Sequence, residues 1–71
     1  MDFETVASST IQAMAYDPDT LVMGIIFKNG SEYHYDDVPP ATYSTVRNAV
    51  SIGAAFAEHV KKAGFKFTRI R

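Results

Sequence analysis

The alternation of apolar and polar positions is clearest between residues 21 and 35. An apolar run over residues 21–27 is followed by a short polar segment, and a second β-rich run covers residues 32–35. The polar segment contains Asn29-Gly30, and two β-rich runs joined across an Asn-Gly pair are a strong signal for a β-hairpin. The pattern therefore predicts a hairpin that the rest of the chain must cover.

Two registers of this hairpin fit the sequence. A two-residue type I′ loop would place Lys28 opposite Ser31, and the tyrosines of the second strand would share the more open face with Gly24. A type I turn with Gly30 as a G1 bulge places Phe27 opposite Ser31 instead. The bulged register gathers the large side chains of both strands on one face: Leu21, Met23, Ile25, Phe27, Tyr33 and Tyr35. Because a one-residue slip would scatter this set, we favour the bulged register.

A further strand is predicted before the hairpin, over residues 11–16, where the side chains alternate along the chain. Residues 17–20, Asp-Pro-Asp-Thr, suit a type I turn because Asp is favoured at its first position and Pro at its second. With these four residues as the loop, Tyr16 is expected opposite Leu21, on the aromatic face.

Two short helices are predicted after the sheet. The first, over residues 41–50, follows Pro40, which suits the start of a helix because its missing N–H costs nothing there. The second, over residues 52–62, has Ser51 as its N-cap and ends before Gly64. The apolar stripes at helical spacing are Tyr43, Val46 and Val50 in the first helix and Ile52, Ala55, Phe56 and Val60 in the second.

Residues 65–71 alternate again and predict a last strand with Phe65 and Phe67 on one side. The chain is thus predicted to be an α+β domain. A small antiparallel sheet, a three-stranded meander plus a C-terminal strand, is covered by two short helices in the order β-β-β-α-α-β. Residues 8–71 are expected to form this single domain. Residues 1–7 are expected to be a flexible N-terminus, because their apolar side chains hold no period.

Composition limits the function classes. With 71 residues, the chain has little room for a deep catalytic cleft, and the absence of cysteine excludes disulfides and cysteine-ligated zinc. The net charge of −1 conceals an uneven distribution. Residues 1–37 hold seven acids and one base, whereas residues 38–71 hold six bases and one acid. Pairing within the fold is the simpler explanation of this asymmetry, and a basic contact surface is the functional one.

No segment of the sequence suits a membrane span. The longest apolar run, residues 21–27, is much too short. Asp2 and Glu4 stand where a signal peptide would carry positive charge. No P-loop or dinucleotide fingerprint is present. We therefore expect a cytoplasmic protein with no membrane contact and no cofactor.

An ordered set of short motifs runs through nearly the whole chain. In sequence order these are Ser8-Ser9, Tyr16-Asp17, Phe27-Lys28-Asn29-Gly30, Tyr33-His34-Tyr35, Val38-Pro39, Ser51-Ile52-Gly53 with Phe56, and a basic-aromatic tail over residues 65–70. Together they resemble the KTSC domain, a module named for its occurrence at the C-terminus of some lysyl-tRNA synthetases and also found alone in small bacterial and phage proteins. The sequence departs from this resemblance at Phe65 and Phe67, where tyrosine is expected. For function, the resemblance implies only RNA binding, which the synthetase fusion suggests.

Two roles fit the aromatic pair of this motif set, Tyr33 and Tyr35. On an open sheet face, aromatic side chains at i and i+2 stack on nucleotide bases. In the bulged register the two rings instead pack beneath the helices, with their hydroxyls reaching solvent or a polar partner. The hairpin pattern favours the packed arrangement.

The candidates for contact with a partner are the basic side chains of the C-terminal half: Lys61, Lys62, Lys66, Arg69 and Arg71. Interleaved with Phe65 and Phe67, they resemble a strip that binds phosphates beside a stacking platform. An amphipathic edge strand has the same pattern. Ser51 and Gly53 form a second candidate, because helix N-terminal amides bind anions, although an ordinary N-cap explains them equally well.

The sequence leads us to expect a non-enzymatic binding module that contacts RNA or a nucleic-acid-associated complex through its basic half. The alternative is a protein interaction module, such as a phage or bacterial adaptor or inhibitor, that uses a sheet edge or the far-face surface of Val22 and Ile26. His34 and His59 lack metal-ligand spacing, and no nucleophile motif is present. Neither a metal site nor an enzyme is therefore expected.

Overall fold

The computed structural model describes residues 1–71 and contains a five-stranded antiparallel sheet with two helices packed on one face. The strands are β1 (Glu4–Thr5), β2 (Ile11–Asp17), β3 (Val22–Phe27), β4 (Glu32–Tyr35) and β5 (Phe67–Arg69). Helix α1 covers Pro40–Arg47, and α2 covers Ile52–Phe56 and continues into a π-helical turn over Ala57–Lys61. The strands follow one another across the sheet in sequence order. The predicted α+β class is confirmed, with one additional strand at the N-terminal edge.

The central hairpin has the bulged register that the sequence favours. Tyr33 lies opposite Ile25 and shares its face. The Phe27 amide donates a hydrogen bond to the Ser31 carbonyl at 2.9 Å. Gly30 has a φ of +92°, in the left-handed region that glycine adopts without the steric cost of a Cβ. The turn therefore fixes which face of the sheet the β4 tyrosines occupy.

The turn between β2 and β3 differs from the predicted one. The loop covers residues 18–21, so Tyr16 lies opposite Met23 and not opposite Leu21. Leu21 belongs to the turn itself, where its φ is +59°. The Asp17 carboxylate accepts a hydrogen bond from a turn amide at 2.9 Å and so stabilises the shifted loop. Because the shift is by two residues, each side chain keeps its predicted face.

The core lies between the sheet and the helices. Its buried members are Val6, Ile11, Met14, Met23, Ile25, Tyr35, Val38, Val46, Ile52, Phe56 and Val60. The Tyr16 hydroxyl donates to the Val38 carbonyl at 2.5 Å, and its ring stacks on Tyr43 with a centroid distance of 4.8 Å. These contacts hold the chain between β4 and α1 against the sheet. Val50, which was predicted to be buried, is fully exposed because α1 ends at Arg47.

The N-terminal segment belongs to the sheet, although residues 1–7 were predicted to be flexible and to lie outside the domain. Strand β1 pairs with β2, and Val6 is buried. Phe3 and Met1 cover Gly24 on the face away from the helices, where a Cβ on the glycine would come within 2.7 Å of the Phe3 ring. The side chains of β1 are exposed and contribute little to a hydrophobic pattern, so periodicity misses this strand.

The second helical segment begins as predicted and then changes its pitch. Ser51 caps α2, since its hydroxyl accepts a hydrogen bond from the Ala54 amide at 3.3 Å. Further along, the Lys62 amide donates to the Ala57 carbonyl at 3.0 Å, which is the i→i+5 spacing of a π-helix. Gly64, with a φ of +81°, follows the end of the segment, where the sequence predicts a helix stop.

Candidate functional site

A groove with an aromatic floor opens between the β3–β4 turn, β5 and the C-terminal end of the second helical segment, which is formed by α2 and its π-helical turn. Its volume is about 770 Å³, within the range of about 300–1,000 Å³ that is typical of ligand sites. The aromatic residues that line it are Phe27, Tyr33, Tyr35, Phe56, Phe65 and Phe67. The other lining residues are Thr10, Lys28, Asn29, Ser31, Lys61 and Gly64.

The pairing of β4 with β5 gathers the aromatic rings of the floor. Tyr35 lies opposite Phe67 across the two strands, and directly opposed residues project to the same face. The Phe67 ring centroid is 5.5 Å from that of Tyr35 and 5.6 Å from that of Tyr33. From the helical side, Phe56 contacts Tyr35 edge-on, with 5.5 Å between centroids. The floor is therefore one aromatic cluster to which both the sheet and the helix contribute.

The rings of this cluster differ in exposure. Tyr35 is buried, with 6% of its surface exposed, whereas Tyr33 is half-buried. Burial, with an added contribution from Tyr33, raises the pKa of Tyr35 above its usual value of 10.0. Phe67 is 57% exposed. The tyrosines lie on the helix-covered face, and Phe67 presents the most open aromatic surface of the floor.

Positive charge surrounds this floor. The Arg69 guanidinium lies over the Tyr33 ring, 5.7 Å from its centroid, which is a cation–π distance. Lys28, from the β3–β4 turn, and Lys61, from the end of the helical segment, line the groove, and neither forms an ion pair. No aspartate or glutamate lines the groove. The local electrostatics therefore favour an anionic ligand.

Hydrogen bonds within the β3–β4 turn orient the Asn29 side chain. Its Oδ1 accepts from the Ser31 amide at 3.0 Å and from the Ser31 hydroxyl at 2.6 Å. Because a backbone N–H can only donate, the atom that it meets must be the amide oxygen of Asn29. The Nδ2 hydrogens of Asn29 are then left for another partner. Together with Lys28, they give the turn end of the groove hydrogen-bond donors.

The structure divides the predicted basic strip. Lys61 lines the groove, and Arg69 covers one of its rings. Lys66 is exposed and lies outside the groove lining. Two further cations form ion pairs with acids outside the groove, at N–O distances of 3.5 Å and 3.1 Å: Lys62 with Glu58, and Arg71 with Glu32. The structure therefore places two of the five cations, Lys61 and Arg69, at the groove.

Ser51 and Gly53 have structural roles at the start of α2. The Ser51 hydroxyl already serves the helix as its cap. A Cβ on Gly53 would come within 2.8 Å of Thr10 Oγ1, so a side chain there would require Thr10 or α2 to shift. A second cavity of about 350 Å³ lies at this junction and is lined mainly by small residues. The predicted anion site has no positively charged side chain in its lining.

A separate polar cluster lies on the opposite face of the sheet. His34 and Glu32 are two residues apart in β4 and share a face, with 2.7 Å between Nε2 and Oε2. The Phe3 ring is 6.4 Å from the His34 ring. No three His, Cys, Asp or Glu side chains come together in a way that would hold a metal ion. None of the helices has the length and apolar character needed to cross a membrane.

The fold and groove define a small α+β module, a five-stranded antiparallel sheet whose aromatic face carries two helices. The sequence profile of the KTSC domain matches residues 7–65. The chain therefore belongs to the KTSC domain family, and the resemblance carried by its motifs is confirmed.

Similar proteins come from several bacteria. The crystal structure of a KTSC domain protein from Yersinia pestis has a TM-score of 0.86 and 34% sequence identity, covering 99% of this chain and 97% of that one. An uncharacterized protein of Stutzerimonas stutzeri is 30% identical over 63 residues, which cover 89% of each chain. A protein of Tsukamurella paurometabola is 33% identical over 63 residues, covering 89% of this chain and 92% of its own.

Sequence reasoning identifies the groove only in part. Tyr33, Tyr35 and Lys61 are predicted site residues and line it, whereas Lys28 and Asn29 line it without having been singled out. A signal for the missed residues exists in the motif set, because most of the groove residues belong to it. These motif residues are Phe27, Lys28, Asn29, Tyr33, Tyr35, Phe56, Phe65 and Phe67.

Proposed function

We propose that the protein is a non-enzymatic binding module that contacts single-stranded RNA through the groove and the adjoining basic residues of its C-terminal half. The observation that supports this proposal is an aromatic floor beside Lys28, Lys61 and Arg69, with no carboxylate in the lining. Stacking surfaces beside unpaired cations are the combination by which proteins hold single-stranded nucleic acids.

The slightly acidic net charge is compatible with this function because a ligand responds to the local field. Glu32 precedes Tyr33 in β4, but it projects to the opposite face, where it contacts His34 and Arg71. Glu58 is paired with Lys62. These two acids are therefore engaged outside the groove, and the cations that border it keep their charge for a phosphate.

The groove lining also supports binding over catalysis. It contains no histidine, aspartate or glutamate, the side chains that most often serve as general acid or base. The only side-chain hydrogen bonds among its residues connect Asn29 with Ser31, and these stabilise the turn. A nucleophile hydrogen-bonded to a base, which covalent catalysis requires, has no counterpart among these contacts.

Adjacent lysines provide the test of this function. We expect Lys61→Gln to weaken binding of a fluorescein-labelled single-stranded RNA and to reduce the salt dependence of log K by about 0.7, as for one lost phosphate contact. Lys62→Gln is the matched control, because Lys62 points to Glu58 and does not line the groove. Fluorescence anisotropy over a salt series measures both quantities. Absent or salt-insensitive binding by the unmodified protein would refute the proposal.

A protein interaction module is the second candidate function. Strand β5 favours it, since its three residues are exposed and its outer edge has no neighbouring strand. The far-face surface of Val22 and Ile26 suits this role less well, because both are half-buried and Phe3 covers Gly24 between them. Recovery of one stoichiometric protein partner from a nuclease-treated lysate, together with no RNA binding in the anisotropy titration, would favour this second function.

A further inference from the structure

Building on the proposed function, we propose that the groove is a pocket for one unpaired nucleotide. Its base stacks on Phe67, and its phosphate lies between Lys28 and Lys61. The ligand class is thus a flipped-out or single-stranded nucleotide, and the duplex form of the same sequence is excluded from the floor.

The open aromatic surface points to Phe67 as the stacking residue. Tyr35 is buried by Phe56 and Phe67, and the Tyr33 ring is already covered by Arg69. Phe67 is 57% exposed, although it belongs to the groove lining and contacts both tyrosines. A hydrophobic ring that remains this open above a packed aromatic cluster has room for one more planar partner.

The positions of the cations favour a phosphate at the same pocket. Lys28 lies in the turn that precedes β4, and Lys61 lies at the C-terminal end of the π-helical turn, so the two charges come from different walls. Neither is neutralised by a carboxylate. The free Nδ2 donors of Asn29 add hydrogen-bonding capacity at the turn end. A nucleotide, with a flat apolar base joined to an acceptor-rich anion, matches this combination.

Stacking of a base on Phe67 requires a nucleotide that is unpaired. In a duplex, each base is stacked and paired with its neighbours, so its face is not free to meet a protein ring. Bases in loops, bulges and single strands are free to do so, and aromatic side chains commonly bind them. The groove volume of about 770 Å³ also lies within the range of small-ligand pockets.

The experiment measures how much the base contributes to the binding affinity, separately from the contribution of the phosphate. The probes are a labelled hexauridine, the same backbone with abasic residues, and a blunt RNA duplex, each titrated at one low salt concentration and then over a salt series. We expect Phe67→Leu to weaken hexauridine binding about tenfold and to leave the salt slope unchanged. Val50→Ala, at a fully exposed apolar residue outside the groove, is the matched control and should bind as the unmodified protein does.

The abasic probe tests the inference on the unmodified protein, so the result does not depend on how the variant folds. We expect it to bind as weakly as hexauridine binds the Phe67→Leu variant, and we expect the duplex to bind more weakly than hexauridine. If the abasic and base-bearing probes bind equally while Lys61→Gln still lowers the salt slope, the inference is wrong and the proposed function stands. If no probe binds, both are wrong. Equal competition by hexaglutamate would also overturn the inference, because charge alone would then explain binding.

Discussion

Gly53 shows how one residue sets the distance between two elements. A methyl group at this position would lie 2.8 Å from Thr10 Oγ1, well inside normal contact distance. Threonine is β-branched, which restricts the χ1 rotamers through which its hydroxyl could move away. Close packing of α2 on the start of β2 therefore depends on the missing side chain.

We expect Gly53→Ala to lower the free energy of unfolding by about 1–3 kcal/mol through overpacking. In a Thr10→Ala background the contact is gone, and the same substitution should be neutral or stabilising, because alanine is the better helix former by about 1 kcal/mol. Urea denaturation of the four proteins gives the coupling in a double-mutant cycle. Equal effects of Gly53→Ala in both backgrounds would contradict the steric explanation.

At the scale of elements, the β3–β4 hairpin depends on the conformation of Gly30. Its φ of +92° is unfavourable for residues with a side chain, and no heavy atom lies within 4 Å of a Cβ placed there. We expect Gly30→Ala to lower the free energy of unfolding by about 1–2 kcal/mol for conformational reasons alone. Gly30→Asn should cost less, since asparagine tolerates positive φ better. Chemical denaturation of both variants tests this order, and an equal or reversed cost would contradict it.

The elements that the sequence predicts well are those with a strong hydrophobic pattern. The register of the hairpin follows from the requirement that Tyr33 share a face with Ile25, and the N-cap at Ser51 follows from local chemistry. Hydrophobic periodicity does not predict strand β1, because this strand pairs through its backbone and buries no side chain of its own. The early end of α1 and the π-helical turn depend on tertiary packing, which periodicity does not contain.

The candidate site is predictable to a similar extent. Sequence reasoning identifies the basic tail, but it cannot separate Lys61, which lines the groove, from Lys62, which pairs with Glu58. The two lysines are neighbours in the chain, and the geometry of the helical segment decides which of them reaches the groove. Likewise, the exposure of Phe67 depends on the pairing of β5 with β4 and on what covers that edge.

For the whole molecule, three tyrosines link stability to alkaline pH. Burial raises the pKa of Tyr16, Tyr35 and Tyr43 above 10.0, with nearby Asp17 adding to the effect on Tyr16. Above pH 10 the unfolded chain releases these protons before the folded protein does. The free energy of unfolding therefore falls as the pH rises through 10, because the folded state then binds more protons.

Removing the Tyr16 hydroxyl should change this pH dependence. Tyr16→Phe loses the hydrogen bond to Val38, so we expect it to be less stable near neutral pH by about 0.5–1.5 kcal/mol. The deficit should shrink above pH 10, since the variant has one fewer proton to lose on unfolding. Urea denaturation at a series of pH values compares the two proteins. Parallel stability curves up to pH 11 would show that the hydroxyl does not contribute to the alkaline effect.

The π-helical turn Ala57–Lys61 lets one wall of the groove accommodate a change of one residue in chain length. The wide turn holds one residue more than a regular α-helical turn, so loss of a single codon within it would restore regular pitch. Side chains beyond the deletion would stay in phase with the capped start of α2. The same deletion in a regular α-helix would instead rotate each later side chain by about 100°. Homologues that are one residue shorter at this point can therefore retain the same groove on the same sheet.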